Sequence, residues 1–86
     1  MKIDMEWEMM KMITTHTVEV DDSLTLPQVQ GKVLGAIWLQ LPLALQRQVK
    51  NSDVILTDRS VEILTDQSLK EHLKTTSVFK AYLKRG

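Results

Sequence analysis

The chain contains no cysteine, and this absence excludes several kinds of chemistry at once. Without thiols there can be no disulfides, thiolate nucleophiles, iron–sulfur clusters or cysteine-ligated zinc. A secreted domain of 86 residues usually needs covalent cross-links, so the lack of cysteine favours a reducing compartment. We therefore expect a cytoplasmic protein.

Aromatic residues and glycines are also scarce. The four aromatic residues are Trp7, Trp38, Phe79 and Tyr82. The core must therefore be built mainly from leucine, valine, isoleucine and methionine. The three glycines are Gly31, Gly35 and Gly86. With so few, neither a Walker-type nor a dinucleotide-type phosphate loop can be written, and we expect no cofactor.

Long apolar runs are absent as well. No stretch approaches the roughly 18 apolar residues of a membrane span, and the acidic N-terminal residues do not resemble a signal peptide. A composition of 43% hydrophobic and 26% charged residues is typical of a globular protein. We expect a single domain over residues 1–86 without a membrane span. A domain of this size often gains stability by pairing with another copy or a partner.

The formal net charge is zero, yet the charges are sorted along the chain. Residues 1–25 hold six acidic residues against Lys2 and Lys11, and residues 70–86 hold five basic residues against Glu71. Such polarity can steer a partner or pair two copies head to tail. Two solvated faces without a specific role would show the same pattern.

Alternation in the first part of the chain predicts two strands, near 3–9 and 13–20. Residues 2–9 alternate apolar and acidic side chains, which is typical of a half-buried strand. A helix is the alternative, because methionine and glutamate favour helices. Several methionines could also serve as later starts, which would leave residues 1–12 loosely attached. Residues 13–20 are rich in β-branched side chains, and Asp21, Asp22 and Ser23 form a turn cluster.

The rest of the chain predicts three helices and a hairpin. Helical spacing covers residues 27–40, and Pro42 separates this helix from another over 42–50. Apolar runs at 53–57 and 60–65 predict a hairpin. The last helix is expected over 67–84, with Ser68 and Glu71 as a capping box and an apolar stripe of Leu69, Leu73, Thr76, Phe79 and Leu83. The poor helix formers Thr75 to Ser77 could break it. The predicted fold is α+β with a short antiparallel sheet.

No motif in the chain assembles a catalytic or metal site. His16 falls in a predicted strand and His72 in a predicted helix, and neither lies in a nucleophile motif. The alternating Asp4, Glu6 and Glu8 should fan out on one strand face into solvent, where a pKa is hard to tune. Asp21 and Asp22 match no metal-binding loop. We predict no catalytic residue, no cofactor and no metal.

One phrase resembles a family. Leu39-Gln40-Leu41-Pro42, followed by Leu45-Gln46-Arg47-Gln48-Val49, is similar to a phrase of small prokaryotic antitoxin-type proteins, in which a Leu-Pro turn starts a helix. The resemblance implies a strand-rich body with a helical tail that lies in a toxin's groove. The rest of the chain does not follow that family's layout, so no function is carried over from it.

These observations predict a small non-catalytic interaction protein, such as a subunit, adaptor or assembly factor. Its partner would be another protein or a second copy. The alternative is an antitoxin-type or DNA-binding regulator acting as a dimer, although a terminal helix with a single arginine does not favour nucleic acid. The expected partner-binding residues are Trp38, Leu41, Lys74, Phe79, Lys80, Tyr82 and Lys84.

Overall fold

A computed structural model describes residues 1–21 and 23–84. In chain order the strands are β1 (Lys2–Met9), β2 (Met12–Glu19), β3 (Val54–Asp58), β4 (Val61–Glu62) and β5 (Val78–Leu83). The helices are α1 (Leu26–Ile37), α2 (Leu43–Gln46) and α3 (Asp66–Leu73). Two short 3₁₀ segments, Trp38–Gln40 and Asn51–Asp53, follow α1 and precede β3.

The five strands form one mixed sheet in the order β2-β1-β5-β3-β4. β1 pairs antiparallel with β2 and parallel with β5, and β3 pairs antiparallel with both β5 and β4. The first and last strands are therefore neighbours at the centre of the sheet. With the helices packed across one side, this is the arrangement known as a β-grasp, which specifies an architecture but not a function.

The α+β class predicted from the sequence is confirmed, but the prediction for the last element of the chain is wrong. The expected helix over 67–84 ends as α3 at Leu73, and residues 78–83 form β5 instead. Because β5 lies parallel to β1, the sheet is mixed rather than antiparallel. Two other elements are shorter than expected, since α2 covers only four residues of 42–50 and β4 only two of 60–65.

One face of the sheet and the inner sides of the helices form a single core. Ile3, Met5 and Trp7 alternate with exposed or half-exposed acidic residues along β1, as a half-buried strand requires. The core side of the other strands and of α1 and α3 completes the cluster. Its largest members include Trp7, Phe79, Ile37 and Leu56. The core is mainly aliphatic, as the scarcity of aromatic residues indicates.

Polar contacts fix α1 against the sheet and against α3. Thr25 caps α1 in a capping box with Gln28. The buried Gln30 donates from Nε2 to the carbonyl of Val54 in β3 at 2.7 Å. The N–H of Leu26 donates to Asp66 Oδ1 at the start of α3, also at 2.7 Å. These two bonds attach α1 to β3 and to α3, and each satisfies a polar group that would otherwise be left unpaired.

The remaining local predictions have mixed outcomes. The cap of α3 is Thr65, which accepts from the N–H of Ser68, so the predicted Ser68 capping box is wrong. Asp21 accepts from the N–H of Ser23, as a turn residue does, and its hydrogen bonds with Ser23 lower the pKa of this carboxyl. Asp22 lies outside the described residues.

Both hairpins turn through two residues in the left-handed region of backbone conformation. Met10 and Lys11 have φ angles of 52° and 65°, and Arg59 and Ser60 have φ angles of 52° and 70°. Two-residue turns with positive φ at both positions match the twist of the strands, but they favour glycine and asparagine. Each non-glycine residue in this region therefore carries a conformational cost.

Replacing Ser60 with glycine is expected to stabilise the protein. Glycine reaches a φ of 70° without steric cost, so we expect a gain of about 0.5–1 kcal/mol. Thermal unfolding followed by circular dichroism should show a midpoint higher by about 4 °C. Ser77→Gly is the matched control, because Ser77 is not among the positive-φ residues and the change should lower the midpoint. Equal shifts for both variants would contradict the prediction.

Candidate protein-interaction surface

The helices cover one side of the sheet, and the other side carries largely exposed side chains. We call it the open face. It consists of alternate residues from each strand, because successive side chains of a strand point to opposite sides. Its members are Lys2, Asp4, Glu6, Glu8, Ile13, Thr15, Thr17, Glu19, Ile55, Thr57, Glu62, Val78, Lys80 and Tyr82.

Negative charge dominates the open face. This surface has five carboxylates, those of Asp4, Glu6, Glu8, Glu19 and Glu62. It has only two amines, those of Lys2 and Lys80, and therefore an excess of three negative charges. None of the five carboxylates forms an ion pair with another described residue. Since the whole chain is formally neutral, the remainder carries the opposite excess. The molecule is therefore electrically polar from one side to the other.

The folded chain rearranges the charge pattern seen in the sequence. The acidic residues of β1 and the basic residues near the C-terminal end lie far apart along the chain, but β1 and β5 are adjacent strands. Lys80 is in register with Glu6 of β1. Outside the open face, Asp53 and Asp66 accept backbone N–H groups of Lys50 and Leu26. Those carboxylates act as local structural contacts, whereas the open-face ones largely face solvent.

An apolar strip lies within the acidic surface. Val78 and Tyr82 of β5 are exposed on either side of Lys80, and Ile55 of β3 is half-buried beside Tyr82. The strip separates the acidic residues of β1 from Glu62 of β4. A hollow of about 420 Å³ borders it and is lined in part by Ile55, Glu62 and Tyr82. An apolar centre with a charged rim is typical of a surface that binds another protein.

Tyr82 links the strip to its acidic rim. Its hydroxyl donates to Glu62 Oε1 at 3.3 Å, and the residue is 39% exposed. Desolvation, followed by the nearby Glu62 carboxylate, raises the pKa of the Tyr82 hydroxyl above its ordinary value. Tyr82 therefore remains neutral at physiological pH and combines an apolar ring with a polar tip, a combination enriched at interfaces.

The residues expected to bind a partner do not lie together. Lys80 and Tyr82 share the open face. Leu41 and Phe79 are buried in the core, so neither presents a side chain to a partner. Lys74 caps the end of α3, and Lys84 lies just beyond β5, where its N–H donates to the carbonyl of Asp53. Trp38 is partly exposed in the 3₁₀ segment after α1.

The candidate surface includes Asp4, Glu6 and Glu8, which were not among the residues expected to bind a partner. Their alternation placed them correctly on the solvent side of a strand. They form a surface only together with residues of β5 and β4, and the sequence alone does not show that these strands lie in the same sheet face. Val78 and Glu62 also belong to the candidate surface and were not expected there, for the same reason.

The two histidines serve as contacts between elements. His72 Nδ1 lies 2.6 Å from Asp58 Oδ2, which connects α3 to the end of β3. His16 Nε2 lies 2.9 Å from Thr14 Oγ1 and 3.2 Å from Gln40 Nε2, which connects β2 to the 3₁₀ segment after α1. No serine or threonine hydroxyl within the described ranges contacts the His72 ring. Over residues 1–21 and 23–84 no three metal-ligating side chains cluster together.

Comparison with protein-family models and with curated proteins found no match to this chain. The surface must therefore be interpreted from its own chemistry. Within the described part of the chain, no helix has the length and apolar character needed to cross a bilayer.

Proposed function

We propose that the protein is a non-catalytic interaction module that acts in the cytoplasm, such as a subunit, adaptor or assembly factor. Its open face would bind a partner protein that presents basic side chains around an apolar centre. The observation that carries this proposal is the group of five carboxylates without ion-pair partners around the strip of Ile55, Val78 and Tyr82. The lack of cysteine supports the reducing compartment.

Physical complementarity indicates the partner's chemistry. Lysine or arginine side chains placed over β1 would meet Asp4, Glu6 and Glu8, and an apolar anchor would meet Val78 and Tyr82. Charge complementarity mainly increases the association rate and the specificity of such a complex. The apolar contact supplies the water-excluded centre that hot spots require. Binding should therefore weaken as salt increases without disappearing.

The DNA-binding alternative loses the feature on which it rested. The basic helix expected at 67–84 is divided, with Lys70 in α3 and Lys80 in β5 beside Glu6. An acidic face repels a phosphate backbone. The basic helix that favoured this alternative does not form, and we retain the protein partner.

Removing negative charge from the open face is expected to weaken the binding of the partner protein. Glu6→Gln/Glu8→Gln keeps the size and hydrogen-bonding capacity of both side chains but deletes two charges. Capture from the source organism's lysate followed by titration of the purified partner should show affinity reduced at least about tenfold. The reduction should shrink as salt increases.

Asp66→Asn/Glu71→Gln is the matched control, because it removes two carboxylates of α3, which packs on the other side of the sheet, and keeps an acceptor oxygen for the N–H of Leu26. The control should bind as tightly as the native protein. Equal losses for both double variants, or binding that does not depend on salt, would show that the open face is not the docking surface.

A further inference from the structure

The strand β2 lies at one edge of the sheet, and one row of its backbone groups has no hydrogen-bond partner among residues 1–21 and 23–84. The N–H of Val20 donates to the carbonyl of Met1 at 2.8 Å, and the register continues without interruption to the turn at Met9 and Met12. Antiparallel partners alternate between hydrogen-bonded and non-bonded pairs. The N–H and C=O groups of Ile13, Thr15, Thr17 and Glu19 therefore point away from β1, toward the free edge.

This edge lacks the features that usually prevent strands from pairing. Residues 13–18 contain no lysine, acidic residue or proline, and the register with β1 shows no bulge. Ile13 is 60% exposed, and its neighbours on the same face are threonines. By contrast, the opposite edge strand β4 has only two residues. Long, regular and uncharged edges are the ones that pair with another chain.

The edge is complementary to itself in one antiparallel register. With Thr15 opposite Thr15 of a second copy, Ile13 faces Thr17, and their outward backbone groups can bond. Every pair then joins residues of the same side of the sheet, as side-chain alternation requires. In this register Lys11, the turn residue just before β2, comes beside Glu19 of the second copy, which brings two pairs of opposite charge within reach at each interface.

We propose that β2 pairs antiparallel with β2 of a second copy, centred on Thr15, so that two five-stranded sheets become one continuous sheet. We choose a second copy as the partner of this edge because, in this register, the facing charges are opposite and the facing side chains lie on the same side of the sheet. On the helical side, Gln40 holds the 3₁₀ segment against Thr14 and His16, and the adjacent Leu39 is 93% exposed. Leu39 adds apolar area beside an edge that would otherwise bury little.

The acidity of the open face does not oppose this pairing. The two β1 strands are separated by two intervening strands, or about 14 Å at normal strand spacing. At physiological salt the interaction between exposed charges decays over about 8 Å, so repulsion between the two acidic rows is small. The edge shares only the side chains of β2 with the open face, and the variants that test partner binding lie on β1, so either proposal can fail without the other.

The oligomeric state tests the proposal directly. Sedimentation velocity from low micromolar to submillimolar protein should show a reversible monomer–dimer equilibrium for the native chain. Thr15→Pro removes the central outward N–H in both copies, and edge strands tolerate proline there. We expect it to weaken dimerisation at least about tenfold while circular dichroism stays native. Thr15→Val keeps the N–H and the β-branch, and should dimerise like the native protein.

Charge exchange tests the register and does not depend on proline being tolerated. Lys11→Glu and Glu19→Lys should each weaken the homodimer severalfold, since each places like charges opposite one another. Mixing the two variants should restore dimers, because the heterodimer sets the introduced glutamate opposite the introduced lysine and keeps the native pair at the other end. A native chain that stays monomeric, a dimer unaffected by Thr15→Pro, or charge variants whose mixture forms no heterodimer would overturn the proposal.

Discussion

Replacing Phe79 with alanine is expected to destabilise the protein by about 3–5 kcal/mol. Phe79 is 2% exposed, lies opposite Met5 of β1, and is one of the largest side chains of the core. Its removal would leave a cavity between the central strands and the helices. Domains of this size have a total stability of only about 5–10 kcal/mol, so the variant should be close to unfolding. Urea denaturation followed by circular dichroism measures the loss.

Tyr82→Ala provides the contrast for Phe79. Tyr82 lies three residues further along β5 on the open face, where its ring is partly exposed. We expect a stability loss of about 1 kcal/mol or less, together with reduced partner binding. If Phe79→Ala were as stable as Tyr82→Ala, then Phe79 would not lie in the core and the assignment of β5 would be wrong.

Replacing His72 with alanine is expected to cost about 1–3 kcal/mol, because it leaves the Asp58 carboxylate without its main partner. The Asp58 side chain is 8% exposed, and the His72 ring lies 2.6 Å from it. The nearby Arg59 has its Nε at 3.9 Å from Asp58 Oδ1, on a side chain that is 82% exposed. A screened contact of this kind offsets little of the loss.

A double-mutant cycle separates this contact from the general cost of mutation. His72→Ala, Asp58→Ala and the double variant should show a combined loss clearly smaller than the sum of the single losses. Such coupling is expected because either single change removes the same bond between α3 and β3. Additive losses in urea denaturation would mean that the two side chains do not interact in solution.

Local patterns predicted the first half of the fold because its contacts are local. The alternation of Ile3, Met5 and Trp7 gives the buried side of β1 directly, and β2 follows after a two-residue turn. The apolar spacing of Val29, Val33 and Ile37 gives the buried side of α1. In each case the residues that repeat also share one environment, so the period of the pattern identifies the element.

The C-terminal part was mispredicted because its pattern fits two structures. Leu69, Leu73 and Phe79 fit a helical stripe, but Phe79 and Ala81 also alternate with exposed residues as a strand requires. The decisive contacts are with β1 and β3, which lie far away in sequence. The poor helix formers Thr75 to Ser77 were the local sign that α3 ends before this segment.

The acidic surface was only half predictable for the same reason. The sequence placed Asp4, Glu6 and Glu8 on a solvent-facing side of a strand. It could not show that Val78 and Tyr82 lie beside them, because that depends on β5 being inserted between β1 and β3. A surface assembled from distant segments is visible only when the order of the strands is known.

The central position of β5 has a consequence for how the protein is made. Until β5 is present, β1 and β3 have no strand between them, and the core lacks Phe79 and Ala81. A ribosome that has released only the residues up to α3 therefore holds two separate hairpins with an exposed apolar side. The sheet closes only after residue 83 has left the exit tunnel. Folding thus has to follow synthesis of this whole segment, and the unfinished chain is the form most in need of a chaperone.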